Sequence, residues 1–234
     1  MTPKYNHALI IGTGPGLSAS LARLFTDQGL KVSLAARTPG KMADLVAETG
    51  ASAHACDASD HEQVASLFAE LDAEGAPDVV VYNPSARVRG PLIDLDPVAV
   101  QQAVQITALG AFFAAQQAAK RMVPANHGAI LFTGASAGVK GYPQSSSFAM
   151  GKFAMRGLAQ SMARELHPQG VHVGHFVIDG GIRNPARPGR IDGPENPDSM
   201  LCPDAIARSY WHFLEQDRSS WAWEIELRPW VEKF

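Results

Sequence analysis

Hydrophobic positions along this chain switch between two periods. Short unbroken apolar runs, Leu9-Ile10-Ile11, Val79-Val80-Val81 and Ala129-Ile130-Leu131-Phe132, read as strands buried on both faces. Between them apolar residues recur at helical spacing, as at Leu17, Leu21, Leu24 and Phe25. Helices are predicted at about 16–28, 40–48, 60–72, 97–122, 146–166 and 203–215. Strands are predicted at 32–36, up to Cys56-Asp57, and at 78–82, 129–132, 171–177 and 222–227. Strand and helix alternate for most of the length, without repeat or linker. Such alternation implies a parallel sheet covered by helices on both faces, with right-handed crossovers. The expected fold class is α/β: one doubly wound domain over 1–234 with about seven strands.

After the first strand, Gly12-Thr13-Gly14-Pro15-Gly16 turns the chain into a helix that opens at Leu17. Glycines there permit a tight turn and let a pyrophosphate approach amides at a helix N-terminus, where the helix dipole favours an anion. A Gly-rich turn alone is a weak signal; flanked by apolar strands and followed by an amphipathic helix, it predicts a Rossmann-like dinucleotide site. The second strand ends in Ala36-Arg37-Thr38, with Lys41 close behind and no acid. An acid there would hold a ribose 2′-hydroxyl and a base would accept a 2′-phosphate, so NADP(H) is expected over NAD(H).

The pattern breaks between 180 and 203, where Arg183, Arg187 and Arg190 sit among prolines and glycines. So long a segment in a compact domain is a functional loop or a disordered one, and it is read as a substrate lid. The small residues Ala103, Gly110, Ala111, Ala114, Ala115 and Ala118 of the 97–122 helix imply close packing, with a subunit boundary as one place for it.

Composition narrows the class. With 234 residues, 46% of them hydrophobic, the chain can bury one large core. A net charge of −3 gives no case for nucleic acid or an anionic membrane. The first residues carry no signal-peptide apolar region, and no unbroken apolar run reaches the roughly 18 residues of a membrane span. Cys56 and Cys202 are too few for a disulfide framework, so a cytoplasmic protein is expected. The eight histidines show no His-x-x-x-His pair, and no metal site is expected.

By Lys152 the accumulated pattern resembles the short-chain dehydrogenase/reductase family across essentially the whole chain. The matching pieces are Gly12-x-x-x-Gly16, Asp57 after the third strand, Tyr82-Asn83-Pro84-Ser85-Ala86 after the fourth, and Lys152 in the helix after the fifth. The resemblance implies that Gly12, Gly14, Gly16 and Leu17 cradle the pyrophosphate. It places Asp57 on the adenine amino group, Asn83 against the adenosine ribose and the Ile182 backbone on the carboxamide. A helix N-cap for Asp57 and a turn for Asn83 are the ordinary alternatives. Ser18 stands where the family has its third loop glycine, and Asn184 where it has a phosphate-binding Thr. A homodimer or homotetramer and a small-molecule substrate are also implied.

The same resemblance implies hydride transfer between nicotinamide and a carbonyl or alcohol, using Tyr-x-x-x-Lys on one helix face, a Ser about 13 residues earlier and an Asn in the preceding long helix. Residues i and i+4 share a helix face, so the ammonium lowers the phenol pKa. Here Phe148 precedes Lys152 by four, Ala135 stands 13 before Phe148, and Thr107 aligns with the Asn. A phenyl ring keeps the shape of tyrosine and loses its proton donor. The resemblance also puts Lys152 on the nicotinamide ribose hydroxyls; Lys152, Ser136 and Tyr142 remain as candidate catalytic groups, although Tyr142 also reads as a loop anchor. Ser145-Ser146-Ser147 read as caps, His175 as structural and Asp179 as a turn residue. The chain is therefore expected to be an NADP(H)-dependent oxidoreductase with altered proton transfer, or a non-catalytic NADP(H)-binding protein on the same fold. Trp221, Trp223, Trp230 and Phe234 are expected to cluster, at a subunit contact or in the core.

Overall fold

The computed structural model describes residues 4–232. Seven parallel strands form one sheet: β1 (His7–Ile11), β2 (Lys31–Ala36), β3 (Ser52–Ala55), β4 (Val79–Tyr82), β5 (Gly128–Thr133), β6 (Val171–Ile178) and, after a two-strand excursion, β9 (Glu224–Leu227). Their order is β3-β2-β1-β4-β5-β6-β9. The helices are α1 (Leu17–Asp27), α2 (Ala43–Thr49), α3 (His61–Asp72), α4 (Pro97–Val104), α5 (Gly110–Ala125), α6 (Ser146–Leu166) and α7 (Pro203–Leu214).

Two apolar layers sandwich the sheet, because successive strand side chains point to opposite faces. On β1, Ala8 and Ile10 join the layer holding Leu21, Phe25 and Phe213, while Leu9 and Ile11 join Phe68, Ala115 and Met155 on the other side. The chain order reverses between β1 and β4, and the carboxyl ends of these strands open a crevice where ligands bind in doubly wound sheets. The expected α/β doubly wound architecture is the observed one.

The expected single helix 97–122 is instead three segments. A π turn, Gln105–Leu109, separates α4 from α5. The Tyr82 hydroxyl donates to the Ile106 carbonyl within that turn. Gly110 lies so close to β4 that a Cβ there would stand 2.2 Å from the Tyr82 hydroxyl. Extra backbone in a helix turn re-aims a side chain, and the side chain here is Thr107, fully buried, whose Oγ1 accepts from the Ala86 amide at 3.1 Å. Ala103, Gly110, Ala111, Ala114, Ala115 and Ala118 are buried inside the chain, against the sheet. They do not form a free face. Exposed on α5 and α6 are Phe112, Met150 and Phe153, with Leu109 in the π turn. By length and composition alone, Pro97–Ala125 passes as a membrane span. Its buried small residues pack one face against the sheet, while only 33% of its most apolar stretch is buried.

The 180–203 segment is ordered by a small parallel pair, β7 (Gly181–Ile182) with β8 (Met200–Leu201). Asp192 ties it together, accepting from Arg183 Nε at 2.8 Å and from the Met200 amide at 2.8 Å. The three described residues of the expected aromatic cluster do not come together. Trp221 stacks on His172 with ring centres 4.3 Å apart, Trp223 lies under Arg156, and Trp230 is 82% exposed; Phe234 lies outside the described residues.

Candidate active site

Gly12 takes a φ of +83°, which side chains disfavour, and a Cβ there would stand 2.7 Å from Pro84. This close approach locks the β1–α1 turn onto the segment after β4. Ser18, in place of glycine, fits because its Oγ donates to the Gly12 carbonyl at 3.1 Å and accepts from Asn83 Nδ2 at 2.7 Å. A hydroxymethyl thus becomes a tie across the turn. Nothing among the described residues lies within 4 Å of a Cβ at Gly14, leaving open space in front of the α1 N-terminus, where unpaired amides and the dipole favour an anion.

A cleft of about 850 Å³ runs over the carboxyl edge of the sheet. It is bordered by Gly12, Gly14, Gly16, Leu17, Arg37, Asp57 and Asn83 at one end and by Ser136, Tyr142, Lys152 and Ile182 at the other. The structure therefore brings every candidate site residue into one cavity. Arg37 and Lys41 are exposed at its rim, with no carboxylate partner among the described residues. The residues present fit a dinucleotide: an open amide cradle, a basic rim after β2 and a cavity spanning the switch between β1 and β4.

Asp57 accepts from the backbone and hydroxyl of Ser59 at 2.9 and 2.7 Å. The N-cap of α3 is Asp60, which accepts from the Glu62 and Gln63 amides, so Asp57 forms a turn and caps no helix. Asn83 spends its amide on Ser18 and, at 3.4 Å, on the Gly12 carbonyl. Ile182 sits in β7. Asn184 is buried beside Gly16, and its Oδ1 accepts from the Ala186 amide.

Lys152 is 2% exposed and donates to the Thr133 carbonyl at 2.6 Å. Burial, with no carboxylate partner among the described residues, brings its pKa down to about 7. Phe148 is half-buried one turn earlier, with Lys152 Nζ 5.8 Å and Arg87 Cζ 5.2 Å from its ring centre. Two cations thus share one aromatic ring. Ser136 sits in the turn after β5, and its hydroxyl has no hydrogen-bond partner among the described residues. Tyr142 is 41% exposed, its ring 5.7 Å from Lys140 Nζ. Ser147 clasps Val88, accepting from its amide at 3.0 Å and donating to its carbonyl at 2.9 Å.

His175 is fully buried and off the cleft. Its Nδ1 lies 3.0 Å from Glu224, which Arg156 also grips through two bonds. Burial lowers the His175 pKa to about 4 despite that carboxylate. Its Nε2 has no hydrogen-bond partner among the described residues and lies against Gly134, where a Cβ would stand 2.5 Å away. It is a structural residue with one unsatisfied atom. Asp179, at the end of β6, lies 3.4 Å from both Lys140 and Arg228. Sequence reasoning missed Arg87, which no motif marks. Among the described residues no group of three or more His, Cys, Asp or Glu converges as metal ligands.

The sequence model of the family described as short chain dehydrogenase matches residues 6–186. Among curated proteins, the chain is 31% identical over 174 residues to (+)-borneol dehydrogenase 1 of Salvia officinalis, covering 70% of this chain but only 65% of that enzyme. Among solved structures, a short-chain dehydrogenase from Rhodopseudomonas palustris is 31% identical, covers 97% of this chain and 100% of its own, and superposes with a TM-score of 0.82. A metagenomic short-chain oxidoreductase solved in complex with NADP shares the fold at a TM-score of 0.84, with 24% identity and 99% and 100% of the two chains covered. Sheet order, glycine turn, buried lysine and these likenesses agree: the chain belongs to the short-chain dehydrogenase/reductase family.

Proposed function

We propose that this chain is an NADP(H)-dependent oxidoreductase that interconverts a carbonyl and an alcohol, with Lys152 carrying the proton that a tyrosine would otherwise handle. The observation that carries the reading is the buried Lys152 amine, which borders the same cleft as the glycine turn and has a pKa of about 7. A group that titrates near the working pH is well suited to general acid–base chemistry.

Gly12, Gly14, Gly16 and Leu17 bind the pyrophosphate through the α1 N-terminus, and Arg37 with Lys41 accepts a 2′-phosphate. Asp57 and Asn83 face the adenosine, with the turn contacts they already make holding them in place. The Ile182 backbone meets the carboxamide. When bound, the reduced cofactor supplies the hydride that becomes the new C–H bond of the alcohol. Ser136 donates a hydrogen bond to the substrate oxygen, and the Lys152 ammonium delivers the proton that completes the hydroxyl. Water then returns a proton to the amine. Phe148 packs against the substrate where the family resemblance puts the phenol, and Tyr142 closes the outer wall. Loss of one general acid costs ~10²–10⁴ in rate, so slow turnover is expected. The 180–203 segment, a cytoplasmic location and a dimer or tetramer through the exposed apolar residues of α5 and α6 complete the proposal. Label transfer from C4-deuterated NADPH to a carbonyl tests it: a deuterated alcohol is expected, and tight NADPH binding without one would overturn it.

A further inference from the structure

Arg87, Arg187 and Arg190 all border the cleft, yet none has a carboxylate within 4.0 Å among the described residues. The nearby acids are committed elsewhere or out of range. Asp192 holds Arg183, Asp179 faces Lys140 and Arg228, and Glu232, which also lines the cleft, pairs with no guanidinium among the described residues. Arg87 is held in place by a hydrogen bond to Ser145 and by the Phe148 ring, 5.2 Å away. Arg190 reaches in from the 180–203 segment, its Nη1 only 2.7 Å from where a Cβ would stand on Gly181. That approach is open because residue 181 is glycine. Desolvation and the charges of Arg89 and Arg190 lower the Arg87 pKa, as expected where like charges are gathered without a counter-ion. Guanidinium groups converging on a cleft recognise carboxylate through paired N–H donors.

We infer that the substrate carries a carboxylate, held by Arg87 and Arg190 while its carbonyl lies beside Phe148 and within reach of Lys152. The inference rests on the oxidoreductase reading and names its substrate class: oxo acids and the corresponding hydroxy acids. Arg87 stands against the Phe148 ring, one helical turn from Lys152, whereas the amide cradle for cofactor phosphates lies at the start of α1. Arg87 is therefore assigned to substrate, with Arg190 joining it from beside Gly181; an unchanged NADPH affinity is what separates Arg190 from the cofactor phosphates.

The test titrates the NADP⁺-loaded protein with benzoylformate and with its uncharged methyl ester, which present the same ketone. Benzoylformate is expected to bind at least tenfold more tightly. Arg87→Met and Arg190→Met should each remove most of that preference, Arg87→Lys should retain part of it, and NADPH affinity should stay within about twofold throughout. Arg190 is exposed, so its variant remains informative should Arg87→Met fold poorly. Equal binding of acid and ester overturns the inference, as does binding of neither. So does a parallel loss of NADPH affinity in the variants, which would assign the cations to cofactor phosphates. Acid-selective binding, with no mandelate formed when NADPH replaces NADP⁺, would instead uphold the subsite and overturn the oxidoreductase reading.

Discussion

Lys152 Nζ lies 5.8 Å from the centre of the Phe148 ring, one helical turn before it. An ammonium in that position normally has a phenol to perturb; here it has a quadrupole and the Thr133 carbonyl. Buried and without a carboxylate, it is driven toward its neutral form.

The first prediction concerns that titration. The folded pKa of Lys152 lies near 7, below its ordinary value of 10.5. Between those values the unfolded chain holds a proton that the fold lacks, so stability rises with pH, by about 1.4 kcal/mol per unit for this single group. Below about 7 both states are protonated and that contribution is gone. Lys152→Met should flatten the slope between pH 7 and 10. Carbon-13 NMR of labelled lysine should show one resonance titrating near 7, absent from Lys152→Met. A midpoint above 9.5 would refute the assignment.

Cofactor choice rests on Arg37. NADPH should bind at least tenfold more tightly than NADH, and Arg37→Ala should erase most of the difference while leaving NADH affinity unchanged. Fluorescence titration of both cofactors checks this. NADH binding as tightly as NADPH to the unaltered protein would contradict it.

Phe148→Tyr adds one oxygen at the i, i+4 partner of Lys152. An unpartnered hydroxyl would cost about 1–3 kcal/mol of stability, so the fold should survive. Carbonyl reduction should rise about tenfold to a hundredfold. Ala135→Ser should raise it further and non-additively, since the groups act as a unit. Lower activity in Phe148→Tyr with NADPH binding intact would move the proton to Ser136 or Tyr142.

Assembly should depend on the exposed apolar side chains. Phe112 and Phe153 are 43% and 45% exposed on adjacent helices. Light scattering at micromolar concentration should give a dimer or tetramer, with Phe112→Asp plus Phe153→Asp lowering the mass to a monomer. A monomeric unaltered protein would show that these residues are not an interface.

The elements that periodicity specifies were legible in the residues: buried strands such as β1 and β4, the helix after Gly16, and the placement of Gly12 through Lys152 around one cavity. What local pattern does not encode was not. The π turn at Gln105–Leu109 answers to Tyr82, a tertiary partner. The pair β7–β8 joins two-residue strands about twenty positions apart, too short for any period to show. Alanines along α5 were compatible with either a subunit contact or the core, and only the sheet packed against them decides. Asn83 reads as a ligand or a turn residue until Ser18 is seen to take its amide. Arg87 gave no signal at all, because its meaning comes from Phe148, 61 positions later.

The most direct test of hydride transfer through this site is label transfer. NADPH deuterated at C4 is incubated with the protein and benzoylformate at pH 6.5 and pH 8.5, and the product is analysed by mass spectrometry. The account predicts mandelate carrying one deuterium at its new C–H bond, formed faster at the lower pH and suppressed at least a hundredfold in Lys152→Met. Tight NADPH binding with no labelled alcohol from benzoylformate or from a panel of aldehydes and ketones would contradict it, and would identify the chain as a cofactor-binding protein without this reaction.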